Sequence, residues 1–172
     1  NGSGKTTFIK LLCRLYDPTE GEIRLNGIDI RKYRYDEYLS LFSVVFQDFQ
    51  LLAFPLGQNV AASAHFDAAR ATACLEEAGF GERLRAWKQG LNTALHRDFD
   101  PEGVEVSGGE AQKIALARAL YKDAPFIVLD EPTAALDPVA EAEVYTNFNK
   151  IVGDKTAVFI SHRLSSCRFC DE

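Results

Sequence analysis

The residues at the start of the chain have the types and spacing needed to bind phosphate groups. Gly4, Lys5 and Thr6 stand directly before an apolar pattern with helical spacing. Backbone N–H groups at a helix start attract anions, a lysine ammonium can reach outer phosphates, and a hydroxyl can ligate Mg²⁺. The order N-G-S-G-K-T-T matches the second half of the pattern G-x-x-x-x-G-K-[ST], although an exposed turn is the alternative for this segment alone. The predicted loop consists of Asn1, Gly2, Ser3, Gly4, Lys5, Thr6 and Thr7.

A second group of polar residues comes after three predicted buried strands. The strands are the apolar runs at 43–46, 126–129 and 156–160. The polar residues that follow them are Gln47, Asp130, Glu131 and His162. Ligands of α/β proteins bind in the crevice outside the carboxyl ends of the strands, so we predict a site where these side chains meet. A strand-capping Gln47 and a structural His162 are the alternatives at those two positions.

Two adjacent acids indicate that something cationic binds at one of these strand ends. Carboxylates that follow a buried strand are costly unless a positive charge is close. Successive strand residues point to opposite sides, so Asp130 and Glu131 are expected to have different roles. Asp130 could hold Mg²⁺ through water while Glu131 faces an attacking water. The alternative is that both acids merely begin the next loop.

A second potential anion site precedes a strongly periodic predicted helix. The segment Ser107, Gly108, Gly109 and Glu110 opens this helix, and its N–H groups would lie at the positive end of the helix dipole. An ordinary N-cap with a flexible approach is the alternative.

Helix-forming composition dominates the middle of the chain, residues 48–124. Helices are predicted there at 59–63, 67–78 and 82–88, and a loop at 97–106. The flanking parts contain the predicted strands, a short strand at 22–25 closed by the turn Asn26-Gly27, and a short helix at 35–41. We therefore predict an α/β core formed by 1–47 and 125–172, with a helical subdomain inserted between them.

Composition narrows the possible partners. The chain has 172 residues, 47% of them hydrophobic, which is enough for one globular core. A net charge of −6 and no basic stripe argue against nucleic acid as a partner. Apolar runs are far shorter than the roughly 20 residues of a membrane span.

The four cysteines form no framework, which fits a reducing compartment, and Cys167 and Cys170 lack the second pair of a zinc site.

These segments, in this order, resemble the nucleotide-binding domain of the ATP-binding cassette (ABC) superfamily over nearly the whole chain. Segment 1–6 looks like Walker A, Gln47 like the Q-loop glutamine, and 126–131 like Walker B with its following glutamate. Residues 106–110, V-S-G-G-E, resemble the L-S-G-G-Q signature, 135–137 the D-loop and His162 the switch histidine. Glu110 replaces the usual glutamine. The implied fold is a P-loop NTPase (RecA-like) core with a mostly parallel sheet flanked by helices and an inserted α-helical subdomain.

The resemblance implies an ATPase that uses ATP and Mg²⁺. Lys5 would bind the β- and γ-phosphates, and Thr6, Gln47 and Asp130 would surround Mg²⁺ directly or through water. Glu131 would polarise the attacking water and His162 would hold it in line with the γ-phosphate. The signature segment would close on ATP held by a second nucleotide-binding domain, in a head-to-tail dimer. The other implied nucleotide contacts are Ser107, Gly108, Gly109, Glu110 and Asp137.

The implied biological role is the motor domain of a membrane exporter. The order S-H-R-L-S at 161–165 looks exporter-like, so we expect a transmembrane domain fused upstream and a location at the cytoplasmic face of the cell membrane. The first Gly of the phosphate-binding pattern would lie two residues before Asn1, so the chain is expected to be truncated at both ends. The alternative is a soluble ABC ATPase of translation or DNA maintenance. The DNA class needs a coiled coil between Gln47 and Ser107, where no heptads are sustained, and an acidic chain without a basic arm disfavours the translation class.

Overall fold

The computed structural model of the chain describes residues 4–132, 152–153 and 155–161. Within them lie the helices α1 (Lys5–Leu12), α2 (Tyr35–Ser40), α3 (Leu56–Ala61), α4 (Ala68–Glu77), α5 (Gly81–Ala86) and α6 (Gly108–Lys122). The strands are β1 (Arg24–Leu25), β2 (Ile28–Asp29), β3 (Phe42–Val45), β4 (Phe126–Asp130) and β5 (Thr156–Ile160). Five predicted site residues lie outside the described residues: Asn1, Gly2, Ser3, Asp137 and His162.

A three-stranded parallel sheet with the order β3-β4-β5 lies at the centre of the α/β part. Val45 pairs with Leu129, and Asp130 pairs with Ile160. All three carboxyl ends therefore meet at one edge of the sheet, where the chain continues into the predicted site residues. The predicted α/β class with a mostly parallel sheet is confirmed. The division into a core and a helical subdomain remains a prediction.

The first four residues of strand β4 are apolar, as is typical of a strand that is covered on both faces. Ile127 and Leu129 pack into the hydrophobic cluster that contains α6, whereas Val128 packs into a second cluster with Ile9 of α1. Side chains alternate along a strand, so Asp130 lies on the same face as Val128, towards α1. The apolar run thus sets the side of the sheet on which its terminal acid lies.

The remaining short elements mostly follow the sequence prediction. Asn26 and Gly27 both have positive φ, 51° and 78°, and join β1 to β2 as an antiparallel hairpin. Helix α3 begins at Leu56 and not at the predicted position 59, because Pro55 provides the N-cap. It ends at Ala62, whose φ of 51° is left-handed. Among the described residues, no helix is both long and apolar enough to cross a bilayer.

The segment that follows β3 is held by one buried side chain. Asn59 of α3 is 4% exposed, and its Oδ1 accepts a hydrogen bond from Leu52 N at 2.9 Å. Its Nδ2 donates to the carbonyl oxygens of Leu52 and Phe54 at 2.9 and 3.0 Å. The residues of this segment belong to no strand or helix, so they lack the regular backbone hydrogen bonds of such elements. Asn59 supplies hydrogen-bond partners for some of these backbone groups.

Replacing this side chain is expected to loosen the segment. Asn59→Ala should lower the free energy of unfolding by about 2–3 kcal/mol, because an unsatisfied buried polar group costs roughly 1–3 kcal/mol. Urea unfolding of the full-length protein, followed by domain-specific fluorescence, measures the shift. Gln58→Ala on the same helix is the matched control and should change the midpoint by less than about 0.5 kcal/mol. Equal effects of the two substitutions would contradict the assigned role of Asn59.

Candidate functional site

Two oxygen-bearing side chains from distant parts of the chain meet at the sheet edge. Thr6 Oγ1 donates a hydrogen bond to Asp130 Oδ2 at 2.8 Å, across 124 positions of sequence. Asp130 is 2% exposed, so its carboxylate is almost fully removed from bulk water. A buried carboxylate needs hydrogen bonds or a cation to offset the loss of hydration. Thr6 at the start of α1 and Asp130, the last residue of β4, are therefore brought together.

The start of α1 is a helix start capped by a glycine in the left-handed conformation, and phosphate binding there stays a prediction. Gly4 is the N-cap with φ 76°, and a Cβ built at this position would have no neighbour within 4 Å. Its carbonyl accepts the N–H of Phe8 at 2.8 Å, which begins the hydrogen-bond ladder of the helix. Lys5 and Thr7 are exposed in the first turn. An anion could approach the backbone of Gly4 closely, because a glycine carries no side chain to obstruct it.

Glu131 has an uncommon backbone conformation directly after β4. Its φ is 52°, in the left-handed region that non-glycine residues seldom occupy. Its N–H donates to Ile160 O at 2.9 Å, and its carbonyl accepts Nε2 of Gln112 at 3.0 Å. The peptide groups on both sides of Glu131 are thus fixed, one by β5 and one by α6.

Gln47 lies at the same sheet edge. It is exposed and follows β3 after one intervening residue, because the strand ends at Val45 and not at the predicted position 46. Since Val45 pairs with Leu129, Gln47 leaves the sheet beside Asp130 and Glu131. The strand register therefore brings Gln47 and the two acids to the same edge of the sheet, and the role of Gln47 in a site stays a prediction.

The predicted second anion site is a capped helix start. Ser107 Oγ accepts the N–H of Glu110 at 3.3 Å, and Glu110 Oε2 accepts the N–H of Ser107 at 2.8 Å. This reciprocal pair is a capping box, which satisfies two of the backbone donors at the start of α6. The N-cap alternative is therefore realised in this structure, and anion binding at Gly108 and Gly109 stays a prediction.

The unusual glutamate of this segment has a cationic partner that the sequence did not suggest. Arg83 Nε of α5 lies 2.7 Å from Glu110 Oε1, and the same guanidinium lies 5.7 Å from the centre of the Trp87 ring. Both partners are partly exposed, so the pair adds little stability on its own. Its consequence is electrostatic, because the negative charge at the start of α6 is compensated within the same chain.

Two further residues of α6 were not singled out by the sequence. Gln112, 5% exposed, contacts the backbone of Glu131, and Arg118 donates to the carbonyl oxygens of Asn59 and Gln50 at 2.8 and 3.2 Å. Burial lowers the pKa of the Arg118 guanidinium from its ordinary value. The sequence contained a signal for Gln112, since it is a polar residue next to the apolar residues that α6 buries.

The cysteines that the structure describes carry no sign of a reactive role. Cys13 and Cys74 are buried, and burial raises the pKa of the Cys13 thiol to about 11. A thiol with so high a pKa stays protonated near neutral pH, and the protonated form is a poor nucleophile and metal ligand. Cys13 and Cys74 therefore act as apolar core residues.

Comparison with known proteins relates the chain to transporter subunits. Residues 1–134 match the family described as ABC transporter. The subtilin transport ATP-binding protein of Bacillus subtilis is 41% identical over 99% of this chain, and the ATP-dependent lipid A-core flippase of Burkholderia orbicola is 38% identical over 99%. In both cases the match covers 28% of the relative, so the chain spans little more than a quarter of these proteins.

A solved structure confirms the predicted fold. The bacterial Atm1-family ABC exporter with ATP bound superposes with a TM-score of 0.87 at 32% sequence identity. The match covers 97% of this chain and 29% of the exporter chain. The P-loop NTPase architecture predicted from the motifs is thereby confirmed.

Proposed function

The chain belongs to the ABC transporter family, and on that premise we propose that it binds and hydrolyses ATP to drive conformational change in an exporter. The single observation that carries this proposal is the hydrogen bond between Thr6 Oγ1 and Asp130 Oδ2. It joins a helix-start hydroxyl to a buried acid at the edge where ligands of α/β sheets bind. The acidic balance of the chain is a reason to expect no nucleic-acid partner.

The donor set fits Mg²⁺. This ion prefers oxygen ligands and is usually held by one or two carboxylates together with phosphate oxygens and water. We propose that Thr6, Gln47 and Asp130 surround it, directly or through water. The bound ion would compensate charge on the phosphate groups of ATP. The contact between Thr6 and Asp130 supports this assignment, because two suitable oxygens already lie within 2.8 Å of each other.

The phosphates of ATP would lie at the start of α1. The open, left-handed turn at Gly4 supports a close approach of phosphate to the backbone. The N–H groups of segment 1–7 would bind phosphate oxygens, and the exposed ammonium of Lys5 would contact the β- and γ-phosphates.

Hydrolysis would depend on groups that orient water and stabilise charge. Phosphoryl transfer is accelerated mainly by positioning and electrostatics. Glu131 would polarise the attacking water, with Gln47 close to it at the sheet edge, and His162 would hold the water in line with the γ-phosphate. The left-handed conformation of Glu131 supports a specialised role, because backbone strain concentrates at functional sites.

The complete site would require a second copy or a similar domain. In the proposed head-to-tail dimer the signature segment would contact ATP that is bound to the partner, and Asp137 would contribute to the same nucleotide site. The contacting residues would be Ser107, Gly108, Gly109 and Glu110. Arg83 would allow the anionic Glu110 to stand near phosphate, because it compensates the carboxylate charge at 2.7 Å.

The role in transport rests on the relatives. The Burkholderia relative is described as a lipid A-core flippase and the superposed structure as an exporter. We propose that a transmembrane domain fused upstream is the partner moved by ATP binding and hydrolysis. The nucleotide-binding chain would then lie at the cytoplasmic face of the cell membrane. Residues just after Gln47, including the segment fixed by Asn59 and Arg118, would contact that partner.

Asp130→Asn tests the proposed ion site in the full-length protein. The amide still accepts a hydrogen bond from Thr6, so the fold should persist, but the ligand charge is lost. The Mg²⁺ concentration needed for half-maximal ATP binding is expected to rise about 10- to 100-fold, as for other changes at metal sites. Titration calorimetry at fixed ATP with increasing Mg²⁺ measures it.

Asp123→Asn is the matched control for that experiment. Asp123 is an exposed carboxylate at the end of α6 that pairs with Lys155. This substitution should leave the Mg²⁺ requirement unchanged. An unchanged requirement in Asp130→Asn as well would remove Asp130 from the ion site.

A further inference from the structure

Gln112 is a buried polar side chain that donates a hydrogen bond to the backbone of a proposed reactive residue. Its Nε2 donates to Glu131 O at 3.0 Å, and the residue is 5% exposed among the apolar residues of α6. Burying a side-chain amide is costly unless it is hydrogen-bonded. Replacing it by an apolar residue would also leave the Glu131 carbonyl without this donor.

Glu131 needs such external support because its backbone is strained. Left-handed φ values of non-glycine residues persist only where the surroundings hold them. Here the support comes from two directions, since Ile160 O accepts the Glu131 N–H at 2.9 Å and Gln112 donates to the Glu131 carbonyl. The bond that Glu131 N–H donates to Ile160 O lies within the sheet edge. The bond from Gln112 joins the sheet edge to a helix.

That helix carries the signature segment at its start. Gln112 lies five residues after Ser107, which corresponds to roughly 7.5 Å along an α-helix. A displacement of the Ser107 end would therefore move Gln112 with it, because a hydrogen-bonded helix transmits translation as a rigid element. The signature end of α6 would contact the partner's ATP, whereas Gln112 contacts the backbone of the chain's own Glu131.

We propose that Gln112 is a positioning residue that fixes Glu131 relative to the signature helix, so that water activation at one ATP depends on engagement of the other. This inference rests on the proposed function, in which Glu131 orients water. Gln112 has no direct contact with substrate in this scheme. It acts by holding the Cα of Glu131 and hence the direction in which the carboxylate leaves the backbone.

Gln112→Met in the full-length protein tests the inference. Methionine has nearly the same length and volume but cannot donate a hydrogen bond. We expect kcat for ATP hydrolysis to fall at least about tenfold with KM changed by less than about twofold, because misplacing a catalytic group by about 1 Å can cost 10²-fold in rate. The Hill coefficient for ATP should also fall towards 1.

Lys113→Met is the matched control. Lys113 is the next residue of α6, and its Nζ donates to the carbonyl of Gly79 at 3.0 Å, so the same kind of bond is lost at a different place. Its kcat and Hill coefficient should stay close to the wild-type values. Hydrogen exchange separates the two changes, since peptides containing Glu131 should exchange faster only in Gln112→Met.

The outcomes discriminate between the inference and the proposed function. Wild-type kcat in Gln112→Met, or an equal loss in Lys113→Met, would overturn the positioning role while leaving the function intact. Loss of kcat with unaltered exchange at Glu131 would also overturn it. If Glu131→Gln itself hydrolyses ATP normally, Glu131 does not activate the water and the role of Gln112 is overturned, although the proposed hydrolysis of ATP stands. If the wild-type protein does not hydrolyse ATP, the proposed function itself is overturned.

Discussion

A Glu131→Gln variant of the full-length protein is expected to bind ATP as the wild type does and to hydrolyse it about 10²- to 10⁴-fold more slowly, the usual contribution of general acid–base assistance. This loss corresponds to about 3–5 kcal/mol of transition-state stabilisation. The amide is nearly isosteric and leaves the backbone bonds from Gln112 and to Ile160 in place. The substitution removes the negative charge and the basicity of the side chain while keeping its size. Phosphate release under saturating ATP measures the rate, and a fluorescent nucleotide measures the affinity.

Glu77→Gln is the matched control for this variant. Glu77 is exposed at the end of α4 and far in sequence from the sheet edge. Its substitution should leave hydrolysis unchanged. Near wild-type turnover in Glu131→Gln would show that another group activates the water.

The second large effect is expected at the start of α6. Ser107→Arg places a long side chain where the proposed dimer needs the N–H groups of Gly108 and Gly109 to approach phosphate. Removing preorganised donors of this kind costs about 10² to 10³ in rate, so hydrolysis should fall by at least about 10²-fold. Lost capping lowers stability by only about 1 kcal/mol. ATP affinity should persist, because the binding loop at Lys5 belongs to the other end of the chain.

The measurement for Ser107→Arg is the approach of the two nucleotide-binding domains. In the Glu131→Gln background, ATP should bring spin labels on the two copies closer together, and Ser107→Arg should prevent this. Ser40→Arg, at the exposed end of α2, introduces the same charge and bulk elsewhere. In this control variant ATP should still bring the two copies together. Closure in Ser107→Arg would exclude the proposed contact in trans.

The sheet and its site-bearing edge could be predicted because the pattern is strong and local. A run such as 126–129 is apolar at every position, which is typical of a strand covered on both faces. The acids that end it therefore had to lie at a sheet edge. The hairpin was equally readable, since Asn26-Gly27 is a turn sequence that tolerates positive φ at both positions.

Contacts between distant segments could not be predicted from local patterns. Motif order suggested that Thr6 and Asp130 share an ion, but their distance follows from which face of β4 packs against α1. Arg83 of α5 and Glu110 of α6 form an ion pair between two helices, and composition does not encode which helices come together. Helix α3 begins before the predicted position because Pro55 is its N-cap, and helix-forming composition alone does not indicate that proline as the start of the helix.

The distance in sequence between Thr6 and Asp130 has a consequence for folding during synthesis. At ribosomal rates of about 5–20 residues per second, Asp130 is synthesised roughly 6–25 s after Thr6. Closing so long a loop is entropically unfavourable until the sheet has formed. ATP and Mg²⁺ would therefore find no site on a nascent or partly folded chain. They would stabilise only the folded domain, by about 2.7 kcal/mol at a ligand concentration 100 times Kd. The supply of nucleotide would therefore also affect how much of the domain stays folded and resists degradation.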